Sequence, residues 1–335
     1  MTSGPMLELD AVSKRFVRHP NTGERIAALL GADDGLRTVH AVDRVSLRIE
    51  PRETLALVGE SGCGKSTLGR IASGIHAPTE GRASLGGAPL MSSGKRPRKI
   101  TTKVQMVFQD PFASLNPRMT VADIVAEGPI AHGMTDRTGA AAYVARWLER
   151  VGLDPGFAAR FPHQFSGGQR QRVAIARALA MQPDLLVCDE PVASLDVAIQ
   201  AQVLNLFIDL RRDLGLTCLF ISHDLGVVRH VSDRVAIMYL GRVVEIGPTA
   251  EIFAAPRHPY TQALLESVPR LNRNSSVDNA FRPIAGEIPS PLAPPPGCHF
   301  HPRCPHATEA CRTTMPQLRH VDRNRSAACH LLDAA

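Results

Sequence analysis

The chain has 335 residues, of which 44% are hydrophobic, so it is long enough for one large domain with a smaller one beside it. No run of 18 or more apolar residues occurs, and no charged and apolar leader opens the chain, so we expect a soluble protein without a membrane span. The net charge of +6 is spread along the chain, and the densest basic run, 95–99, carries a proline and follows a Ser-Ser-Gly turn. That pattern favours a solvated loop, and we expect no nucleic-acid partner.

Two strands are predicted near the start of the chain. Residues 7–12 alternate apolar and polar side chains, and residues 42–47 form a second run suited to pair with them. Between them, residues 17–39 contain proline, asparagine and three glycines, which predicts an exposed insertion.

A glycine-rich stretch follows the buried strand predicted at 54–58 and opens the helix predicted at 66–72. It fits the pattern G-x-x-x-x-G-K-[ST] without mismatch, over Gly59, Glu60, Ser61, Gly62, Cys63, Gly64, Lys65, Ser66 and Thr67. A strand, a glycine-rich turn and a helix N-terminus aim several backbone N–H groups at one point, which predicts a nucleotide phosphate site. Lys65 is then expected on the β- and γ-phosphates and Ser66 on Mg²⁺.

The flanking strand and helix disfavour the alternative, a chance glycine-rich turn. With a nucleotide nearby, the lone aromatic Phe16 has two interpretations that the sequence does not separate, core packing and stacking on adenine.

Two adjacent carboxylates, Asp189 and Glu190, follow the apolar strand predicted at 185–188. Ligands collect at the carboxyl ends of parallel strands, so both side chains are expected beside the phosphates. One carboxylate can hold Mg²⁺ while the next accepts a proton from an attacking water.

Two further strands end in polar side chains. Gln109 follows the strand predicted at 104–108, and His223 follows the strand predicted at 216–221. An amide at such a position can face the ligand. A histidine is more often a surface or capping residue, but beside a γ-phosphate it becomes a candidate phosphate sensor.

A second glycine-rich helix start precedes the strongly helical run 170–179 and comprises Phe165, Ser166, Gly167, Gly168 and Gln169. Like the first, it is suited to bind an anion.

In order and spacing, these motifs together with Ser194, Leu195 and Asp196 resemble the ATPase subunits of ABC transporters. Residues 108–119, 257–265 and 297–305 are similar to the branch that imports oligopeptides and dipeptides. The resemblance implies an α/β P-loop NTPase fold, the ABC cassette, with a mixed, mainly parallel sheet. It places the cassette at 5–257, a helical subdomain at about 110–180, and a cysteine-containing extension at 258–335.

The resemblance also implies a head-to-tail dimer in which the phosphate loop of one subunit faces Ser166, Gly167, Gly168 and Gln169 of another ATPase subunit. Two ATP molecules would then be shared across the seam, with Asp196 organising it. By the same resemblance Gln109 and Asp189 contact Mg²⁺, Glu190 is the general base and His223 contacts the γ-phosphate.

The implied partners are two transmembrane permease subunits and an extracytoplasmic substrate-binding protein, with this chain peripheral on the cytoplasmic face of the plasma membrane. We expect docking on the permease through residues 109–119, including Phe112 and Leu115. The implied function is ATP-driven import of peptides or a related small solute. Alternatives are the ATPase subunit of a carbon-phosphorus lyase complex and a soluble non-transport ABC ATPase, although the chain has one cassette and no heptad run.

Four cysteines, Cys298, Cys304, Cys311 and Cys329, share the last part of the chain and follow a proline-rich stretch. A reducing cytoplasm disfavours disulfides, and no C-x₂-C pair is present, which makes a zinc knuckle a poor fit. Thiolate ligation of a metal cluster, zinc and free thiols remain as interpretations. Members of the resembling branch carry a [4Fe-4S] cluster in this tail, so the resemblance implies one here. We expect it to be structural, since the extension has few apolar residues of its own.

Overall fold

The computed structural model describes residues 4–18, 37–94, 96–267, 284–322 and 324–332. Within them the chain forms twelve strands in two sheets. The strands are β1 (Leu7–Arg18), β2 (Arg37–Ile49), β3 (Thr54–Val58), β4 (Glu80–Leu85), β5 (Ala88–Pro89), β6 (Val104–Val107), β7 (Leu185–Asp189), β8 (Thr217–Ile221), β9 (Arg234–Tyr239), β10 (Arg242–Pro248), β11 (Arg319–Asp322) and β12 (Arg325–Ala327).

The smaller sheet is antiparallel, with the order β2-β1-β4-β5. Its first two strands confirm the predicted pair, and they run further than the sequence indicated, to Arg18 and from Arg37, with Phe16 opposite Val39. The predicted insertion at 17–39 therefore begins and ends as strand. Its remaining residues, 19–36, lie outside the described residues.

The larger sheet has the order β11-β12-β10-β9-β3-β8-β7-β6. Strands β9, β3, β8, β7 and β6 are parallel, whereas β10, β12 and β11 pair antiparallel along one edge. The three strands β3, β7 and β8 are buried throughout, as their continuous apolar sequences predict for strands covered on both faces. The carboxyl ends of β3, β6, β7 and β8 consequently meet at one edge, the position at which α/β sheets bind ligands. The predicted mixed, mainly parallel α/β fold is confirmed.

Ten α-helices surround the sheets within the described residues. They are α1 (Lys65–Ala72), α2 (Pro111–Ser114), α3 (Val121–Ala131), α4 (Ala140–Arg150), α5 (Gly167–Leu179), α6 (Val197–Leu214), α7 (Leu225–Val231), α8 (Thr249–Ala254), α9 (Pro259–Glu266) and α10 (Glu309–Thr313). Short 3₁₀ turns lie at Pro155–Ala159, Pro162–Gln164, His301–Arg303 and His330–Leu332. Helices α2 to α5 form a helix-rich segment between β6 and β7, where the apolar face of α4, including Trp147 and Leu148, is buried.

The C-terminal region packs into the rest of the chain. Strand β12 pairs with β10, so the last strands extend the larger sheet. Phe300 and Tyr260 are fully buried in one apolar cluster with Val58 and Tyr239 of the parallel strands. The extension thus shares a core with the cassette. Among the described residues, no helix is both long and apolar enough to cross a lipid bilayer.

Candidate nucleotide site

The phosphate loop runs from the end of β3 into α1, as predicted. Gly62 and Gly64 adopt φ values of +80° and +106°, which a residue with a Cβ rarely tolerates. A Cβ on Gly59 would lie 2.1 Å from the carbonyl oxygen of Met238, and one on Gly64 would lie 2.1 Å from that of Ala41. Conformation therefore requires glycine at position 62, close packing requires it at position 59, and both require it at position 64.

Lys65 is the first residue of α1, and its side chain folds back over the loop. The Nζ atom donates to the carbonyl oxygens of Gly59, at 2.7 Å, and Glu60, at 3.0 Å. Its exposed fraction is only 5%, so the ammonium group has been withdrawn from water and is held inside the turn. Cys63 contacts the same Nζ at 3.9 Å, and burial raises the pKa of its thiol.

Ser66 and Asp189 meet across the site, although 123 residues separate them in sequence. The Ser66 hydroxyl donates to Asp189 Oδ1 at 2.9 Å. Burial raises the pKa of Asp189, and the hydrogen bond from Ser66 offsets only part of that cost. A buried carboxylate beside a hydroxyl, both oxygen ligands, is the donor set that Mg²⁺ prefers.

Glu190 follows β7, and its side chain contacts one residue that follows β6 and one that follows β8. Its Oε2 accepts from Gln109 Nε2 at 2.9 Å and lies 3.2 Å from His223 Nδ1. Its φ of +47° lies in the left-handed region, which is uncommon outside glycine, and its backbone N–H donates to Ile221 at 2.9 Å. The sheet edge thus fixes the direction of this carboxylate, and it brings together the three side chains that the sequence predicted to converge.

The second glycine-rich helix start forms a capping box. Ser166 Oγ accepts from the Gln169 backbone at 3.3 Å, and Gln169 Oε1 accepts from the Ser166 backbone at 3.0 Å. A Cβ on Gly168 would lie 2.3 Å from the Ile199 side chain of α6, so glycine allows the two helices to approach closely, whereas a Cβ on Gly167 would make an ordinary contact with Leu195 at 3.4 Å. Phe165 is buried below this start.

Asp196 and Phe16 lie outside the cluster just described. Asp196 caps α6, its Oδ1 accepting from the Ile199 backbone at 3.0 Å. Phe16 is 38% exposed and packs edge-on against His76, with the Lys14 ammonium over its ring. Phe16 is therefore a partly exposed surface ring, and it is not a member of the apolar clusters of the described residues.

Two residues that sequence reasoning missed contact the phosphate loop from the C-terminal region. Arg303 pairs with the Glu60 carboxylate, and the Tyr260 hydroxyl accepts from the Glu60 backbone N–H. Neither residue belongs to a nucleotide motif, and 243 and 200 residues separate them from Glu60. No local pattern could have identified these contacts.

The four C-terminal cysteines lie near one another. Burial, with the neighbouring Cys311, Cys329 and Cys304 thiols, raises the pKa of Cys298 to about 11. The backbone N–H of Cys298 donates to the Cys311 carbonyl at 2.8 Å, which ties two of the segments together. Within the described residues, no three histidine, cysteine or acidic side chains converge on a single metal-ion position. Cys63, Cys188 and Cys218 are buried elsewhere.

Two family models match the chain. That of the ABC transporter matches residues 42–193, and that of the C-terminal region of oligopeptide/dipeptide transporters matches residues 244–311. Three of the four C-terminal cysteines fall in the second match.

Known proteins and solved structures agree with both matches. The chain is 50% identical to the oligopeptide transport ATP-binding protein AppF of Bacillus subtilis (strain 168), over 88% of this chain and 90% of that protein. It is 48% identical to the di/tripeptide transport ATP-binding protein DppF of Pseudomonas aeruginosa (strain UCBPP-PA14), over 90% and 92%.

Among solved structures, cbiO1 of Clostridium perfringens, part of the ABC transporter complex cbiONQ, matches with a TM-score of 0.60 and 29% identity, over 76% of this chain and 92% of that chain. The ATP-binding cassette MJ0796, a dimer bound to ADP and Pi, matches with a TM-score of 0.58 and 26% identity, over 73% and 99%. The chain therefore belongs to the ATP-binding subunits of ABC transporters, in the oligopeptide and dipeptide branch, and is an ATP hydrolase built on the ABC cassette.

Proposed function

We propose that this chain powers the import of dipeptides or oligopeptides, or of a closely related small solute, by hydrolysing ATP. The observation that carries the proposal is the position of Glu190, held between Gln109 and His223 beside the Ser66–Asp189 pair. Such a carboxylate is suited to accept a proton from water, and the neighbouring Ser66–Asp189 pair is suited to bind the metal ion that accompanies a nucleoside triphosphate. The relatives' transport of peptides supports the cargo class.

In the proposed mechanism the phosphate loop binds the α- to γ-phosphates through its backbone N–H groups, and Lys65 moves from the loop carbonyls to the β- and γ-phosphates. Ser66, Asp189 and Gln109 would hold Mg²⁺, which when bound would neutralise the negative charge of the phosphates. Glu190 Oε2 orients the attacking water and accepts its proton. His223 donates from its ring to the γ-phosphate, and its side chain, 60% exposed, is free to make that contact.

A second subunit completes the site in this proposal. The start of α5 is the positive end of a thirteen-residue helix, a position suited to bind an anion. A γ-phosphate bound to another cassette is the anion that fits it. Asp196 precedes α6 at the neighbouring helix start, where it would lie at the seam. The partner subunit is a second copy or a close relative.

Docking on a membrane permease is proposed through the surface around α2. Phe112 is 59% exposed, and Arg170 of α5 stacks on its ring with the guanidinium carbon 3.4 Å from the ring centroid. The expectation that Leu115 contributes to this surface is wrong, because Leu115 is 2% exposed and packs in the core of the helix-rich segment. Because Phe112 is exposed and packs on Arg170 of α5, it is placed to pass a movement of α5 at the nucleotide seam to a membrane partner at the cytoplasmic face.

Co-purification tests the transport assignment. We expect the tagged chain, extracted with mild detergent, to retain two integral permease subunits, and an extracytoplasmic binding protein to join them when cargo is present. Phe112→Ala should lose the permeases, whereas Phe161→Ala, at another exposed aromatic of the same segment, should keep them. Soluble lyase subunits in place of permeases would overturn the transport proposal, and equal retention of permeases by both variants would overturn the proposed docking surface around Phe112.

We also propose that Cys298, Cys304, Cys311 and Cys329 hold a [4Fe-4S] cluster. The thiols of Cys304, Cys311 and Cys329 lie close enough to Cys298 to help raise its pKa, and four cysteines are the usual ligand set of such a cluster. When bound, the cluster would link these segments of the extension through four thiolates, two from buried and two from partly buried cysteines.

Anaerobic purification tests the cluster. We expect brown protein with iron and acid-labile sulfide in equal amounts, and a broad visible absorption that Cys304→Ser removes. Cys188→Ala, which deletes a buried thiol of the cassette core, should keep both metal and colour. Colourless protein with stoichiometric zinc, or with no metal, would refute the cluster and leave the ATPase assignment unchanged.

A further inference from the structure

Glu60 places a carboxylate inside a loop that binds polyphosphate, and the structure shows how that charge is held. Arg303 forms a two-pronged ion pair with it, with Nη1 2.7 Å from Oε2 and Nη2 3.0 Å from Oε1. The Arg303 side chain is 3% exposed and that of Glu60 is 21% exposed. A planar guanidinium that matches both carboxylate oxygens fixes direction as well as charge.

A second contact fixes the backbone at the same residue. The Glu60 N–H donates to the Tyr260 hydroxyl at 3.0 Å, and Tyr260 is fully buried at the start of α9. Side chain and backbone of one loop residue are therefore both held by the C-terminal region.

The two anchoring residues are themselves rigidly placed. Phe300 and Tyr260 pack with their ring centroids 5.3 Å apart, and Tyr239 of β9 lies 4.7 Å from Tyr260 and 5.3 Å from Phe300. Arg303 follows Phe300 by one short 3₁₀ turn, and its Nε donates to the Ala285 carbonyl at 3.1 Å. The packing of Phe300 in this aromatic cluster therefore fixes the position of Arg303 beside the phosphate loop.

An unpaired carboxylate at Glu60 would repel the phosphates of a nucleotide bound at the same turn, because charges of like sign at short range in a partly buried site are weakly screened. We infer that Arg303 is a positioning residue for nucleotide binding, which holds the Glu60 carboxylate neutralised and turned away from the phosphates so that the C-terminal extension sets nucleotide affinity. The inference rests on the nucleotide site described above and goes beyond it, since it assigns a part in ATP binding to a region without a nucleotide motif.

The test is nucleotide affinity, measured by calorimetric titration with MgADP, which avoids turnover. Arg303→Met keeps much of the side-chain volume and removes the guanidinium, and we expect it to weaken MgADP binding about tenfold, since a charge-assisted pair is lost and a charge is exposed to the phosphates. The KM for ATP should rise to the same degree, whereas kcat at saturating ATP should stay within about threefold of the parent.

Rescue separates this role from a merely structural one. Adding Glu60→Gln to Arg303→Met removes the repelling charge, so affinity should return to within about threefold of the parent. Arg325→Met is the matched control. Arg325 is also a buried arginine of the extension, 5% exposed and paired with Asp322 of β11, and its side chain donates to the carbonyl oxygens of Glu251 in α8 and of Ala255 just after it. It should bind MgADP within about twofold of the parent.

Three results would overturn the inference. They are parental affinity in Arg303→Met, no rescue by Glu60→Gln, and an equal loss in Arg325→Met. Circular dichroism shows whether each variant is folded. If Arg303→Met does not fold, Arg303→Gln replaces it, because glutamine keeps hydrogen-bond donors in the buried position and removes the positive charge. An affinity in Arg303→Gln equal to the parent's would then overturn the inference.

Discussion

The phosphate site and the C-terminal extension are built in opposite ways. The phosphate site combines Ser66 in the first turn of α1 with Asp189 at the end of β7 and Glu190 directly after it, and each of these residues lies in a short local segment. The extension is held by contacts that join distant parts of the chain, such as Arg303 to Glu60 and β12 to β10. Chemistry at a sheet edge can therefore be recognised from short motifs, whereas the attachment of a peripheral region depends on tertiary structure.

The largest effect is expected at Glu190. Glu190→Gln keeps the shape of the side chain and its contact with Gln109 but removes the base, so steady-state ATP turnover should fall about 10²- to 10⁴-fold. Affinity for MgATP should stay near that of the parent, because the amide still fits the site. A phosphate-release assay and equilibrium binding give both values. Turnover close to that of the parent would show that the chemistry is not located at this end of β7.

In the extension, we expect pH to change the free energy of unfolding. His258 is 1% exposed, and burial lowers its pKa to about 4, while its Nδ1 accepts from the Tyr260 backbone at 3.0 Å. The unfolded chain binds a proton at this histidine near pH 6.5, so the free energy of unfolding falls as pH drops from about 6.5 to 4. The loss from this residue is about 3 kcal/mol.

Denaturant titrations at pH 7 and pH 4 measure that loss. The control is His258→Asn, which can still accept from the helix start but does not titrate. We expect the parent to lose about 3 kcal/mol more than the variant between the two pH values. An equal loss in both proteins would contradict the account of His258.

Replacing one aspartate in each region should change the free energy of unfolding by a smaller amount, with opposite signs in the two regions. Burial raises the pKa of Asp189, so its ionised form at neutral pH costs stability, and Asp189→Asn should raise the free energy of unfolding by about 1 kcal/mol while removing Mg²⁺-dependent hydrolysis. Asp322→Asn in the extension should lower it by about 1 kcal/mol, because Arg325 is buried and loses its charge partner. Thermal unfolding at pH 7 without nucleotide measures both. If both substitutions changed the free energy of unfolding in the same direction, the ionised Asp189 would not differ from Asp322 in its effect on stability, and the comparison would fail.

The sequence predicted the nucleotide region well because its signals are local. The strand at 54–58 has the predicted bounds, and β7 and β8 begin or end within one residue of prediction. Continuous apolar runs bounded by turns specify such buried strands, and the phosphate-loop glycines lie where conformation requires them. The convergence of Gln109, Glu190 and His223 followed from one rule, that parallel strands end at a common edge.

The remaining features could not be predicted, because they depend on packing between distant segments. Leu115 was expected on a surface and is buried, since the helices that cover it are specified elsewhere in the chain. The sequence of the proline-rich extension did not predict that β11 and β12 would join the larger sheet. Their pairing depends on the free edge of β10, which belongs to a distant part of the chain. The Arg303–Glu60 pair has no local signature at either end.

The most direct test of the central claim, that this chain drives import by hydrolysing ATP, is uptake in cells that lack their own copy of it. Cells complemented with the parent chain or with Glu190→Gln, expressed at equal levels, are supplied with a panel of radiolabelled peptides of two to five residues. We predict that the parent restores accumulation of at least one peptide and that the variant does not. Equal accumulation with both chains would contradict import driven by ATP hydrolysis, and the absence of any peptide whose uptake depends on the parent chain would contradict peptides as the cargo.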